Sequence, residues 1–383
     1  MPIARRGYRV VLPGLLSLWI VLCSTLTTAH SGSFRTTPTT NNGKKWRIGY
    51  YEGGPYINYP ANLKAIAKGL AKLGWMSDIR FEQPKDPTDS MSVWLALSAA
   101  KSDYLQFVKK DYSSADWDDE KRKRNREAVL ARLAGNHLDF TIAMGTWAGQ
   151  DLANNRHSVP TMVVSTSDPV KSGIVKSAAR SGFDHVHAKC DPQRYLRQLR
   201  LFHDIIGFKR LGVVYEYTEV GKTYAAVSDI ERVAKRRGFT LVSCEARWSG
   251  VPQQERTQEV IECHKQLAPQ IDALYLTVHA GVDTNHMDEL LAPLMAHKIP
   301  TWSQRGPQEV RHGVLLSISR KGFEAVGMYH AFIMARIFNG AKPGSLNQIF
   351  VDPKHIAINL KTAKTIDFKP PIGLLKVADT IYK

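Results

Sequence analysis

From residue 46 onward, short apolar runs alternate with turns rich in Gly, Ser, Thr and Asp and with segments of helical spacing. The apolar runs fall at 46–51, 78–82, 140–143, 161–164, 211–215, 240–244, 273–278, 301–303 and 314–319. Apolar residues recur at three- and four-residue intervals over 62–73, 125–133, 192–206, 222–237 and 253–267. Strand, turn and helix repeated in this order predict an α/β protein with parallel sheets covered by helices on both faces. Nine strands overfill one small sheet, and 383 residues can supply two cores, so two lobes are expected. Residues 83–120 break the rhythm. They are rich in Asp, Ser and aromatics, and they predict helices and loops elaborating the first lobe. Trp94, Tyr104, Phe107, Tyr112 and Trp117 are expected to form a satellite core there.

The head of the chain has a different pattern. Arg5, Arg6 and Arg9 precede an apolar run from Val10 to Leu22, and Thr27, Thr28 and Ala29 follow it. A basic head, a short apolar middle and a small-residue exit predict a signal peptide over 1–29 and export to the periplasm. Pro13 and Gly14 interrupt the run, and about 20 predominantly apolar residues are needed to span a bilayer. A retained anchor is therefore disfavoured, and Leu22 before Cys23 argues against a lipid anchor. Residues 30–44 are small and polar, as expected of a flexible leader.

Cleavage after Ala29 removes three arginines and no acids, which lowers the formal net charge from +17 to +14. A basic protein invites a nucleic-acid reading, but no recognition motif accompanies the charge, so no nucleic-acid partner is expected. The dense run Lys121–Arg124 follows Asp116, Asp118, Asp119 and Glu120 and predicts a solvated helix face. Three cysteines remain after cleavage. Cys244 and Cys263 are the favoured pair in an oxidising compartment, although spacing alone leaves the pairing open.

In open α/β sheets, ligands sit beyond the carboxyl ends of the strands. The residues following each run are therefore the candidate site. The first run is followed by Glu52, by the Gly53-Gly54 pair, which lets backbone approach a ligand, and by Tyr56. Thr146 and Trp147 follow 140–143, and Thr166, Ser167 and Asp168 follow 161–164. In the second half, Tyr215 ends a run that Tyr217 follows. His279 follows 273–278, and Ser303 and Gln304 close 301–303, with Arg305 after them. Hydroxyls and helix N-terminal amides suit a carboxylate. Glu52 and the rings of Tyr56, Trp147 and Tyr217 suit an ammonium. Asp168 before Pro169 also has the form of a helix N-cap, and Tyr215 and Trp302 of ordinary core.

Catalytic signatures are absent. Gly221-Lys222-Thr223 lacks the earlier glycine of a phosphate-binding loop, because that position is Glu216. No G-x-S-x-G, H-E-x-x-H or G-x-G-x-x-G occurs. His185, His187 and Cys190 have metal-capable atoms without a clear fourth ligand, and they read as a solvated turn. No catalytic residue, metal or cofactor is expected. Glu52 with His279 is the pair an enzyme on this scaffold would need.

The chain resembles the solute-binding proteins of ABC transporters, in their tryptophan/tyrosine-binding-like branch. The residues that carry the resemblance are 46–56, the V-x-x-x-x-D-P-x-x-x-G segment in 161–173, the G-V-x-Y strand in 209–215, and 299–302, 322–340, 356–364 (I-A-I-N-L-K-T-A-K) and 374–378. The resemblance implies the type I periplasmic binding fold: two Rossmann-like (flavodoxin-like) lobes with parallel sheets, joined by three crossovers. It places the first lobe at 45–165 plus 318–340 and the second at 166–317 plus 341–383. It further implies lobes that close over a ligand and dock on the permease subunits; a small polar or zwitterionic ligand, amino acids among the candidates, and a monomer are expected. A sensory module presenting its ligand to a signalling receptor would share this fold.

Overall fold

The computed structural model describes residues 1–2, 34–82, 86–320 and 322–383. The expected signal peptide lies outside the described residues apart from Met1 and Pro2. Residues 34–383 form one compact unit built on two sheets.

The first sheet has five parallel strands: β1 (Trp46–Glu52), β2 (Leu105–Ser114), β3 (Phe140–Met144), β4 (Thr161–Val164) and β5 (Val186–Ala188), in the order β2-β1-β3-β4-β5. Alternation assigns its two faces. Ile48, Tyr50, Phe140, Ile142 and Met144 point into one core, while Tyr51 and Ala143 point into the other. Being buried on both sides, β3 and β4 read as nearly continuous apolar runs.

The second sheet contains β6 (Arg210–Tyr215), β7 (Thr240–Glu245), β8 (Ala273–Leu276), β9 (Thr301–Ser303), β10 (Leu316–Arg320), β11 (Lys354–Asn359) and β12 (Thr380–Tyr382). Their order is β12-β11-β10-β9-β8-β6-β7, parallel except at β10–β11.

The chain crosses between the sheets three times. After β5 it enters helix Arg194–Ile206, whose Leu196, Leu199 and Phe202 fill the second lobe. After β10 it returns as helix Glu324–Phe338, packed in the first lobe, and β11 brings it back. The first and third crossings pair: Cys190 N–H donates to the Gln348 carbonyl (2.7 Å) and Phe350 N–H to the Cys190 carbonyl (3.0 Å).

Several expectations from sequence need correction. Residues 78–82 form no strand. The edge strand is β2, so 83–120 supplies sheet and core rather than decoration, and Trp94 and Phe107 lie in the main core of the first lobe. The first sheet extends to β5, so 166–188 pack with the first lobe, whereas 316–320 belong to the second sheet. The run 222–237 is two helices, Glu219–Tyr224 and Val227–Arg237, broken at Ala226, whose φ is +57°. Residues 36–39 are pinned rather than free: Trp75 Nε1 donates to Thr36 O (2.9 Å) and Trp46 Nε1 to Thr39 O (2.8 Å). His185, His187 and Cys190 are buried around β5 instead of solvated. Among the described residues no cluster of three or more His, Cys, Asp or Glu has metal-binding geometry, and no helix is long and apolar enough to cross a membrane. Cys244 and Cys263 are joined by a disulfide.

Burial has a measurable consequence for stability. His187 and His264 are fully enclosed, and loss of hydration holds both imidazoles down at about 4. The unfolded chain takes up these protons near pH 6.5, the folded chain only near 4. Stability is therefore complete above 6.5 and falls as the pH drops towards 4. The urea midpoint is expected to decline steadily from pH 6.5 to 4.5 and to change little from 6.5 to 7.5. An unchanged midpoint at 4.5 would contradict this assignment.

Candidate ligand cleft

A cleft lies between the lobes at the carboxyl ends of the strands, and both lobes line it. From the first lobe, Tyr56 and Tyr59 follow β1 and Thr146 opens the helix after β3. Ser165, Thr166 and Ser167 follow β4. Gly145, at φ +89°, makes room there, because a Cβ at that position would lie 1.8 Å from the Tyr59 hydroxyl. Ser165 is itself in the left-handed region, at φ +62°.

Trp117 is delivered by a tight turn. Asp116 and Trp117 have φ of +51° and +59°, an unfavourable conformation for side chains of this size. The Gly53-Gly54 backbone passes directly beneath the indole. A Cβ on Gly54 would lie 2.6 Å from Trp117 N, and one on Gly53 2.9 Å from the indole ring. The indole N–H donates to Pro55 O (2.9 Å). The paired glycines thus serve the packing of a tryptophan, which in turn lines the cleft.

The second lobe contributes Tyr224, Trp248, Val278 and Arg305, and the first crossover contributes Lys189, Arg194 and Tyr195. Lobe-to-lobe contacts are already made. The Tyr224 hydroxyl is pushed up to about 12 by burial, an effect opposed by the Thr146 hydroxyl of the first lobe. Trp117 meets Trp248 edge-on at 6.2 Å, and the Arg305 guanidinium lies 5.5 Å from the Tyr56 ring centre. Lys171, beside β4, pairs with the buried Asp229 of the second lobe at 2.6 Å.

The cations of the cleft differ in their partners. Lys189 pairs with Asp352 at 3.0 Å. Arg305 donates to Val282 O (3.0 Å) and sits 3.2 Å from Glu309, a carboxyl whose pKa burial raises. Arg194 has no carboxylate within 4 Å among the described residues, and its guanidinium lies 5.1 Å from the Tyr195 ring centre. No Asp or Glu lines the cleft.

The sequence profile of the family described as ABC transporter substrate binding protein matches residues 96–381. The chain belongs to that family. It is a substrate-binding protein and not an enzyme. It is 23% identical over 269 residues to a tyrosine-binding protein of Clostridioides difficile (strain R20291), covering 68% of this chain and 71% of that protein. Among solved structures it is similar to the ABC domain of Streptococcus pneumonia in complex with L-Trp, with TM-score 0.66 and 19% identity over 88% of this chain and all of that one. A conserved domain protein from Vibrio cholerae gives TM-score 0.65 and 18% identity over the same shares. At these identities the structural likeness establishes the fold, which is the type I periplasmic binding fold.

Within this substrate-binding protein, the expected site residues divide into three groups. Tyr56, Thr146, Thr166 and Ser167 line the cleft. A second group stands behind the lining. Gln304 donates to Tyr224 O (2.8 Å) and accepts from Val278 N–H (2.7 Å), so it fixes two lining residues. His279 supports the Trp248 ring at 5.5 Å while one nitrogen meets Ala246 O and the other accepts from Gly281 N–H. Ser303 donates to Glu309, the acid beside Arg305. Trp147 packs on Trp117, and Gly54 lies beneath it.

The third group lies elsewhere. Glu52 is sealed beside β2, where the Tyr50 and Tyr112 hydroxyls donate to it, and its pKa is raised by burial. It therefore does not face the cleft, and with His279 committed as above, the two do not form a catalytic pair. Asp168 accepts from Val170 and Lys171 N–H (3.0 Å each), the turn-capping alternative. Tyr215 is buried against Tyr217, and Tyr217 is exposed, its hydroxyl 2.9 Å from Ser243 Oγ.

Sequence reasoning missed Asn62, Trp117, Lys189, Arg194, Tyr224 and Trp248. Arg194 and Lys189 had a signal in being basic residues on a crossover, and Trp248 had one in following the run 240–244, while Trp117 follows β2, a strand the apolar pattern does not predict.

The Lys171–Asp229 pair bridges the lobes, so Asp229→Asn is expected to weaken closure. A partly buried pair contributes about 1 kcal/mol, which corresponds to roughly a fivefold loss of ligand affinity. Calorimetric titration of both proteins checks this, and equal affinities would show that the pair plays no part in closure.

Proposed function

We propose that this chain is the extracytoplasmic capture component of an ABC transporter. It closes its lobes over a small solute that carries a carboxylate and a flat apolar body, and it presents the closed form to the permease subunits. The observation that carries this reading is a single cleft lined from both lobes by guanidiniums, hydroxyls and aromatic rings. Tyrosine and L-Trp, the ligands named for two relatives, share those two features. A carboxylate would meet Arg194, Arg305 and the hydroxyls of 165–167, and a planar body would lie among Tyr56, Trp117 and Trp248.

The energetics suffice without covalent chemistry. Moving an open–closed balance from 1:99 to 99:1 takes roughly 5.5 kcal/mol of preference for the closed form. A few charge-assisted hydrogen bonds, at about 1.5–3 kcal/mol each, with one aromatic stack at about 0.5–1.5, supply it. The export signal over 1–29 and a periplasmic location belong to the same reading, as does action as a monomer.

A thermal-shift screen of the purified protein against amino acids, organic acids, sugars and nucleosides tests it. A solute at 100 times its Kd is expected to add about 2.7 kcal/mol, and the hits are expected among carboxylates. Hits confined to sugars or nucleosides would overturn the reading.

A further inference from the structure

We infer that the ligand is an organic acid without a free ammonium: a carboxylate on an otherwise uncharged, planar body. This rests on the capture reading above and narrows its solute class. An α-amino acid presents a carboxylate, a side chain and an ammonium, and the cleft provides for only the first two. Lys189, Arg194 and Arg305 line it, and no acid does.

The acids near the cleft are turned away or already occupied, and Asp191, which lines an adjoining pocket with Arg194, Arg305 and Asp352, pairs with Arg197 at 2.5 Å. Glu52 takes the Tyr50 and Tyr112 hydroxyls behind β1. Asp168 caps its own turn, and Asp352 is paired with Lys189. Glu309 faces Ser303 and Arg305. Glu216 accepts from the backbone N–H groups of Trp248 and Ser249 and from the Ser249 hydroxyl. The Tyr56 face, which the sequence offered to an ammonium, has the Arg305 guanidinium against it. An ammonium next to a bound carboxylate would find neutral oxygens, such as the amide of Asn62, and ring faces but no carboxylate to pair with, beside an Arg194 guanidinium that has no carboxylate partner among the described residues. A carboxylate alone meets no such penalty. The excess of basic residues, 52 Lys and Arg against 35 Asp and Glu, also favours the approach of anions.

Matched sets decide the matter by calorimetry on the purified protein: 3-(4-hydroxyphenyl)propionate, L-tyrosine and tyramine, and indole-3-propionate, L-tryptophan and tryptamine. In the set that binds, the acid is expected to bind at least tenfold more tightly than its amino acid, and the amine not at all. Amino acids that bind as tightly as their acids, or more tightly, would overturn the inference and leave the capture reading standing. If no carboxylate in either set or in the wider screen binds, the capture reading fails with it. Asn62→Asp places a carboxylate in the lining with little change of shape. It is expected to move the acid-to-amino-acid ratio at least tenfold towards the amino acid, and an unmoved ratio would count against the inference.

Discussion

Arg194→Met is expected to weaken ligand binding by roughly 10- to 150-fold while leaving the unfolding midpoint within error of wild type. The size follows from the loss of one or two hydrogen bonds to a charged group, about 1.5–3 kcal/mol. The unchanged stability follows from what Arg194 lacks. No carboxylate lies within 4 Å of it among the described residues, and it opens helix Arg194–Ile206, where the macrodipole disfavours a cation. The fold gains little from this guanidinium, so its place in the lining points to a ligand. Calorimetry and a thermal melt on the same variant separate the two effects. An intact affinity would remove Arg194 from the site, and a large drop in melting temperature would make it a structural residue.

Gly327→Leu is expected to cost about 4 kcal/mol or more, above the ~1–3 of ordinary overpacking, because the obstacle is backbone. A Cβ at Gly327 would lie 2.5 Å from the carbonyl of Ala65, and one at Gly69 2.7 Å from the Cβ of Ala331. Helices Asn58–Lys72 and Glu324–Phe338 therefore touch main chain to main chain. The second of these carries Val326 and His330 into the cleft wall, and it is the segment the chain returns to the first lobe. Forcing them apart loosens the first lobe and moves one wall of the site. Urea unfolding followed by circular dichroism measures the cost, and a loss below about 1 kcal/mol would mean the crossing can adapt.

The fold was legible in the sequence wherever strands are buried on both faces. β1, β3, β4, β6, β8 and β9 are mainly buried runs followed by turn residues, and the apolar pattern places each within a residue or two. β2 was not. As an edge strand its Lys109 and Lys110 are exposed, so the run reads as polar. β5 is three residues long and holds a buried histidine, too short a signal to register. The first crossover was misplaced for the same reason: once β5 is missed, the first lobe ends at β4.

The site was half legible. Loops directly after strands supplied Tyr56, Thr146, Thr166 and Ser167, because strand ends face the cleft in any open α/β sheet. Trp117 depends on left-handed residues at 116–117, which sequence spacing does not reveal. Glu52 looked like the natural ammonium partner. Two tyrosines, one of them sixty positions away, enclose it, and only the register of β1 against β2 brings Tyr112 there.

The central claim is that a solute is held between the lobes and closes them. Spin labels on cysteines at Lys123 and Arg232, exposed positions on opposite lobes, report it directly by pulsed dipolar spectroscopy, with Cys190 buried out of reach. Without ligand, the distance distribution is expected to be broad and to extend beyond that of the closed form. With a saturating binding acid it is expected to narrow to one short population. A distribution unchanged at saturation would contradict capture by closure.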